Sequence, residues 1–275
     1  MPELPEVERA RQVVELGLHR VITEVDDRDT YECRPHQPGE IAAALVGGQL
    51  TEANRKGKSM WCETVTADGS VGPRLGLHLG MGGHIIVTGP SADHACGQRH
   101  SGGDPFVGAG PLDKPEWTRF SITFGDGGQL GLFDKRRLGR ARLEPDLDAL
   151  GPDAATITRA EFRARVGGSA APVKARLLDQ AVLSGVGNLL ADEVLWRVAL
   201  APTRPAKRLS TAELDGLRRA LRAAIRSAIR LGGVHTGAVI GSRRADATCP
   251  RCGAPMRRGT VGGRTTWWCS AEQGG

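Results

Sequence analysis

Midway along this chain the hydrophobic period shifts from strand-like to helical, and that shift limits the fold more than any other feature. Between about residues 20 and 144 the apolar residues come in short runs separated by Gly-rich turns. Examples are residues 59–65, 84–87, 120–124 and 129–133. Runs of this length and spacing read as strands of a β-sandwich or barrel. Beyond residue 157 the period becomes helical, with candidate helices at 159–166, 173–184, 188–198 and 210–231. The last follows Ser210 with Glu213 in its first turn, a capping arrangement. An N-terminal helix is expected over 3–18, where Val7, Ala10, Val14 and Leu18 share one face. The segment 147–156 reads as a linker, and Gly89–Glu116, rich in Gly, Pro and Ser, reads as one long loop. The expectation is an α+β chain with an N-terminal helix and β-sandwich over 1–146. A helical domain over 157–240 and a small ribbon over 245–275 follow. A chain of 275 residues is long enough for two separate cores.

Charge narrows the partner. Lys and Arg number 37 against 31 Asp and Glu, a net +6 with a pI near 9.3. This balance suits a polyanion such as DNA, although a basic solvated surface has the same composition. No apolar run approaches the roughly 18–20 residues that span a bilayer. The acidic N-terminus lacks the basic and apolar regions of a signal peptide. A cytoplasmic location and no membrane partner are therefore expected.

Cysteine usage divides in two. Cys33, Cys62 and Cys96 are scattered and read as free thiols. Cys249-Pro250-Arg251-Cys252 forms a zinc knuckle, and Cys269 follows after 16 residues. A four-cysteine ribbon places its last ligand at 272, which is Glu272 here. Zinc accepts carboxylate oxygen as well as thiolate, with a harder and weaker donor set as the result. Three arrangements stay open: three thiolates with Glu272, three thiolates with water, or a metal-free ribbon packed by Trp267 and Trp268.

The chemistry begins at Met1-Pro2-Glu3-Leu4-Pro5-Glu6-Val7-Glu8. Removal of Met1 frees the secondary amine of Pro2, and an acid, Glu3, follows at once. An α-amino group has a reference pKa of about 7.7–8, so part of it is neutral near pH 7 and able to attack carbon. Prolines and acids also suit a plain first helical turn. Four further segments carry candidate functional groups: Arg55-Lys56-Gly57-Lys58, His78-Leu79-Gly80-Met81, Asp134-Lys135-Arg136-Arg137-Leu138-Gly139 and Gly185-Val186-Gly187-Asn188. Gly187 and Asn188 open a helix, where backbone N–H groups can hold a phosphate.

Taken in order, these segments resemble the formamidopyrimidine-DNA glycosylase / endonuclease VIII family, along nearly the whole chain from Pro2 to Cys269. The resemblance implies a β-sandwich, a helix–two-turn–helix domain and a zinc hairpin acting as a monomer on damaged double-stranded DNA, nucleoid-associated in a bacterium. It implies base-excision repair by a glycosylase with AP lyase activity. Pro2 would be the Schiff-base nucleophile, Glu3 a proton donor and Lys58 a phosphate contact that assists proton transfer. His78, Lys174, Asn188 and Arg264 would bind the DNA backbone. Met81, Arg136 and Leu138 would fill the void left by the flipped nucleotide, with Glu6 and Glu193 supporting the active site. Cys249, Cys252, Cys269 and Glu272 would hold one structural zinc. The chain departs from the family at Lys135 (proline), Leu138 (phenylalanine) and Leu190 (often tyrosine). The cover between Leu231 and Cys249 is short and is similar to the endonuclease VIII branch. The competing readings are a non-catalytic damaged-DNA-binding protein on the same scaffold and a zinc-ribbon RNA-binding protein.

Overall fold

The computed structural model describes residues 2–89, 99–103 and 114–274. The chain divides into two compact units: Met1–Pro2 with Glu6–Leu147, and Glu3–Pro5 with Asp148–Gly275. The helical part and the C-terminal ribbon thus fall in the same unit.

The first unit holds most of α1 (Leu4–Val14), then β1 (Ile22–Asp26), α2 (Glu40–Leu45), β2 (Gln49–Lys56), β3 (Ser59–Val65), β4 (Leu75–His78) and β5 (His84–Thr88). It continues with β6 (Arg99–Gly103), β7 (Thr118–Phe124), β8 (Gln129–Phe133) and β9 (Arg140–Leu143). One antiparallel sheet runs β1-β7-β8-β5-β6 and the other β2-β3-β4-β9. Alternation in β3 buries Met60, Cys62 and Thr64, and in β7 it buries Phe120, Ile122 and Phe124. These apolar side chains from both sheets meet Val7, Ala10 and Val14 of α1 in one core, which makes this unit a sandwich. The expected N-terminal helix is α-helical only to Val14 and ends in a 3-10 turn over Glu15–Gly17. The expected loop over 89–116 is interrupted by β6, which pairs with β5. Residues 90–98 and 104–113 of that loop lie outside the described residues.

Topology decides where the functional loops fall. The β4–β5 connection leaves the four-stranded sheet for the five-stranded one, and the β8–β9 connection crosses back. Since β4 pairs with β9 and β5 with β8, both crossings occur at the same end of the sandwich. The register Met60↔Leu77 brings the β2–β3 turn to that end as well.

The second unit contains α3 (Arg159–Gly167), α4 (Val173–Leu178), α5 (Asn188–Arg197), α6 (Thr211–Leu231), β10 (Met256–Val261) and β11 (Arg264–Cys269). Both α3 and α6 start on complete capping boxes, Thr158 with Glu161 and Ser210 with Glu213. Leu214, Leu217, Leu221, Ala224, Ile225 and Ala228 form the buried face of α6. The expected helix over 173–184 ends at Leu178. Its last residues are drawn into other contacts: Ser184 bridges to Asp153, Asp179 Oδ1 accepts from Ala181 N, and Gly185 takes φ +106°. The hairpin β10–β11 turns at Gly262 and Gly263, both with positive φ (59° and 71°), the backbone of a two-residue turn that glycine favours.

Candidate functional site

In the first unit Lys58 sits in the β2–β3 turn, His78 ends β4, Met81 lies in the β4–β5 crossing, and Arg136 and Leu138 lie in the β8–β9 crossing. The Arg136 guanidinium reaches the Met81 sulfur at 3.8 Å. Backbone meets backbone between the two crossings. A Cβ on Gly80, at φ +55°, would stand 2.3–2.6 Å from Leu138 C, Leu138 O and Gly139 N, so only glycine fits. Met81 and Arg136 are exposed and Leu138 is half-buried. The three residues expected to fill a void are thus carried on two touching loops.

Asp134 holds that arrangement. Its buried carboxylate accepts from the backbone N–H groups of Arg136, Leu138 and Gly139 at 2.7–2.8 Å. Sequence reading gave it no role, although an aspartate opening a six-residue loop is an available signal for such a turn. Beneath the loop lies Glu32, with no exposed surface and no hydrogen-bond partner for either oxygen among the described residues. Burial, with Asp134 and Asp29 adding to it, pushes its carboxyl up to about 8.

His78 is oriented for donation. Its Nδ1 accepts from Gly80 N at 3.0 Å, which leaves the ring proton of the neutral form on Nε2. Burial lowers its pKa, and Lys58 and Arg142 lower it further, so the ring is neutral near pH 7. Pro2 lies two residues before the start of α1, and Glu6 is buried in the first turn.

In the second unit Glu3, only 2% exposed, is fixed at the start of α5. Its carboxylate accepts from Gly187 N (2.9 Å), Leu189 N (2.8 Å) and Leu190 N (3.1 Å). A helix start presents just such unpaired donors and a favourable dipole to an anion. A Cβ at Gly187 would come within 2.3–2.6 Å of the Glu3 carboxyl and its Cγ, so glycine is what allows the approach. Leu190, in place of a tyrosine, contributes its backbone N–H and a buried side chain. The turn before α5 is stapled by Gln180, whose amide bonds Leu178 O, Val186 O and Gly185 N.

Three of the expected site residues have their side chains engaged within this unit. Lys174, expected to bind the DNA backbone, is buried. It is 0% exposed, pairs with Asp192 at 2.6 Å and donates to Thr266 Oγ1 at 2.7 Å. Asp192 also receives Arg243 Nε at 2.8 Å and Trp267 N at 3.3 Å, which ties α4 and α5 to β11. The reason is the buried acid at 192, whose charge needs a buried partner. Glu193 has its carboxylate occupied by Ala238 N, Val239 N and Arg197 Nε, so it anchors the segment after α6. Asn188 donates its amide to Thr265 O at 3.0 Å, which turns it toward the hairpin. Arg264 is exposed at the start of β11, beside the glycine turn.

Cys249, Cys252, Cys269 and Glu272 converge, with one donor atom from each all lying within 4.8 Å of one another. The Cys252 and Cys269 sulfurs are 3.5 Å apart, and Cys249 Sγ is 3.8 Å from Glu272 Oε2. These spacings suit the edges of a tetrahedral site, and the soft donor set suits zinc. Trp196 Nε1 donates to Cys249 Sγ at 3.2 Å and Glu272 N to Cys269 Sγ at 3.4 Å, contacts that favour thiolates. Arg251 bonds Glu272 at 2.6 Å and Trp196 O at 2.7 Å, so the carboxylate has a fixed orientation. The residues present therefore fit a structural metal.

The family model for the formamidopyrimidine-DNA glycosylase N-terminal domain matches residues 1–141, and that for its H2TH domain matches residues 149–239. The chain belongs to the formamidopyrimidine-DNA glycosylase family. A relative of that name from Cereibacter sphaeroides is 33% identical, with 98% of each chain covered. Another, from Corynebacterium aurimucosum, is 31% identical over 99% of this chain and 96% of its own. The solved Fpg protein of Thermus thermophilus is 30% identical, with 99% of each chain covered and a TM-score of 0.75. Lactococcus lactis Fpg, solved with DNA containing an abasic site, is 23% identical with a TM-score of 0.76 over 99% of this chain and 100% of its own, and shows the same fold. Within the family's frame, the organising roles of Asp134, Gln180 and Asp192 were those that sequence reading missed. No helix among the described residues is long and apolar enough to cross a membrane.

Proposed function

We propose that this chain is a base-excision repair DNA glycosylase with AP lyase activity, working through an N-terminal proline Schiff base on damaged duplex DNA. The observation that carries this reading is Glu3: three backbone N–H groups fix its carboxylate next in sequence to Pro2. The competing reading, a protein that only binds DNA, has no need of a free N-terminal proline beside that acid. With Met1 removed, the neutral Pro2 amine attacks the sugar C1′, and the C1′–N bond to the damaged base breaks. Glu3, held as the carboxylate, takes the proton that the Pro2 nitrogen loses on attack and passes it to the ring oxygen as the sugar opens to an iminium. The iminium acidifies C2′, and β- then δ-elimination release the 3′ and 5′ phosphates. Lys58 and the Nε2–H of His78 hold the backbone phosphate near the lesion. Met81, Arg136 and Leu138 enter the void, which offsets the few kcal/mol of stacking lost on flipping. Arg264 at the hairpin tip clamps the backbone, Asn188 orients that hairpin, and zinc held by Cys249, Cys252, Cys269 and Glu272 keeps the hairpin folded.

Support for the DNA partner comes from the relatives' names and from the net +6 charge. The cover between α6 and the ribbon is short, residues 232–248, with two 3-10 turns at Val234–Thr236 and Ile240–Ser242. A cover this short, similar to that of the endonuclease VIII branch, supports acceptance of oxidised pyrimidines, ring-opened purines or larger adducts. Borohydride with an abasic duplex is expected to trap a covalent complex, and Pro2→Gly to trap far less. Efficient trapping by a chain whose N-terminus is chemically blocked would overturn the Pro2 assignment. Failure to cut an abasic duplex would overturn the enzyme reading.

A further inference from the structure

The two neighbours of Arg136 each lean on a different aromatic ring. Lys135 Nζ lies 5.0 Å from the Trp117 ring centroid, and Lys114 Nζ lies 4.7 Å from it. The Arg137 guanidinium lies 5.6 Å from the Tyr31 ring, with Arg34 at 4.2 Å and Arg140 at 5.3 Å around the same ring. Tyr31 is the single tyrosine of the chain and is 44% exposed. Arg137 is neutralised by Asp29, which it meets at 2.8 and 3.0 Å. Lys114, Lys135, Arg34 and Arg140 have no acidic partner among the described residues, and all but the half-buried Arg140 are exposed.

We propose that this aromatic–cation band is a contact surface for the backbone of the strand opposite the lesion. The inference rests on the function proposed above, in which Arg136 enters the void left by flipping, beside the base left in the opposite strand. Groups placed beside Arg136 then face the strand to which that base belongs. Several features support a polyanion strand as the occupant. The charges that lie on the two rings are all positive, and each is held on a ring face, which limits the freedom lost on binding. Lys135 gives the band a cation at a position where the family motif has proline.

The test is binding to a duplex carrying a tetrahydrofuran abasic analogue, measured as a function of salt. Each phosphate contact contributes about 0.9 to the slope of log K against log salt. Arg34→Gln and Lys135→Gln are each expected to reduce the slope by about that amount, and Arg34→Lys to retain it. Uncharged methylphosphonates at the linkages flanking the orphaned base, in the undamaged strand, should weaken the wild type and leave a variant carrying both Arg34→Gln and Lys135→Gln little changed. Unchanged slopes, or coupling found only with methylphosphonates in the damaged strand, would overturn the proposal. Wild-type preference for the abasic duplex over an undamaged one is scored first. Its absence counts against the functional reading, whereas an intact preference with unchanged slopes counts against the band alone.

Discussion

Glu32→Gln should make the protein more resistant to unfolding as the pH rises, although it touches no DNA. Glu32 is fully buried, and its carboxyl is pushed from 4.5 up to about 8, first by burial and then by Asp134 and Asp29. The folded protein therefore holds Glu32 protonated at neutral pH, while the unfolded chain ionises it near 4.5. Between these values unfolding releases a proton, so rising pH favours the unfolded state. The penalty is absent below about 4.5, grows through the window, and is complete above about 8. Each tenfold difference in proton affinity is worth about 1.4 kcal/mol, which sets a ceiling of about 3 kcal/mol for the change between pH 5 and 7.5. Relaxation of the site around the charge brings the working figure to roughly 1–2 kcal/mol.

Glutamine keeps the shape of the protonated acid and carries no charge at any pH. The other carboxylates are common to both proteins and cancel in the difference. Urea unfolding of wild type and variant at pH 5, 6, 7 and 8 reads that difference directly. It is expected to move in favour of the variant with each step in pH. A constant offset from imperfect packing of the amide leaves this slope unaffected. If the two stability curves run parallel from pH 5 to 8, Glu32 is not held protonated and the reasoning fails.

Two further outcomes follow from the second unit. Asp192→Ala strands the buried Lys174 and the partly buried Arg243, and should cost about 3–5 kcal/mol in unfolding free energy; pairing it with Lys174→Met should restore much of this, and failure of the pair to recover would show that the interlock is not electrostatic. Glu272→Cys should retain one equivalent of zinc against a chelator longer than wild type, and Glu272→Ala should lose it sooner, by metal analysis after dialysis; equal retention in all three would remove Glu272 from the ligand set.

The legible parts of the chain were those governed by local chemistry. Strands β3 and β8 and helices α5 and α6 follow from hydrophobic period, and the start of α6 follows from the reciprocal bonds of Ser210 and Glu213. Strand β6 escaped because Arg-His-Ser-Gly-Gly carries no apolar signal. It is a strand because β5 offers it an edge, and Gly102 sits where a Cβ would fall 2.5 Å from the α1 backbone at Ala10. Likewise α4 stops at Leu178 because Ser184 bonds to Pro152 and Ala154, partners about thirty residues away.

The same distinction runs through the candidate site. Motif order singled out Met81 and Arg136 as candidates, but their meeting depends on two sheet crossings falling at one end of the sandwich, which only topology supplies. Lys174 illustrates the opposite case. By resemblance Lys174 reads as a contact to the DNA backbone, and nothing nearby in sequence discloses that Asp192, eighteen positions on, will pair with it in the interior. A charge's role is set by its nearest opposite charge in space. Residue type alone therefore marked where chemistry could be, while burial and pairing decided that Arg264 faces outward and Lys174 holds the scaffold that presents it.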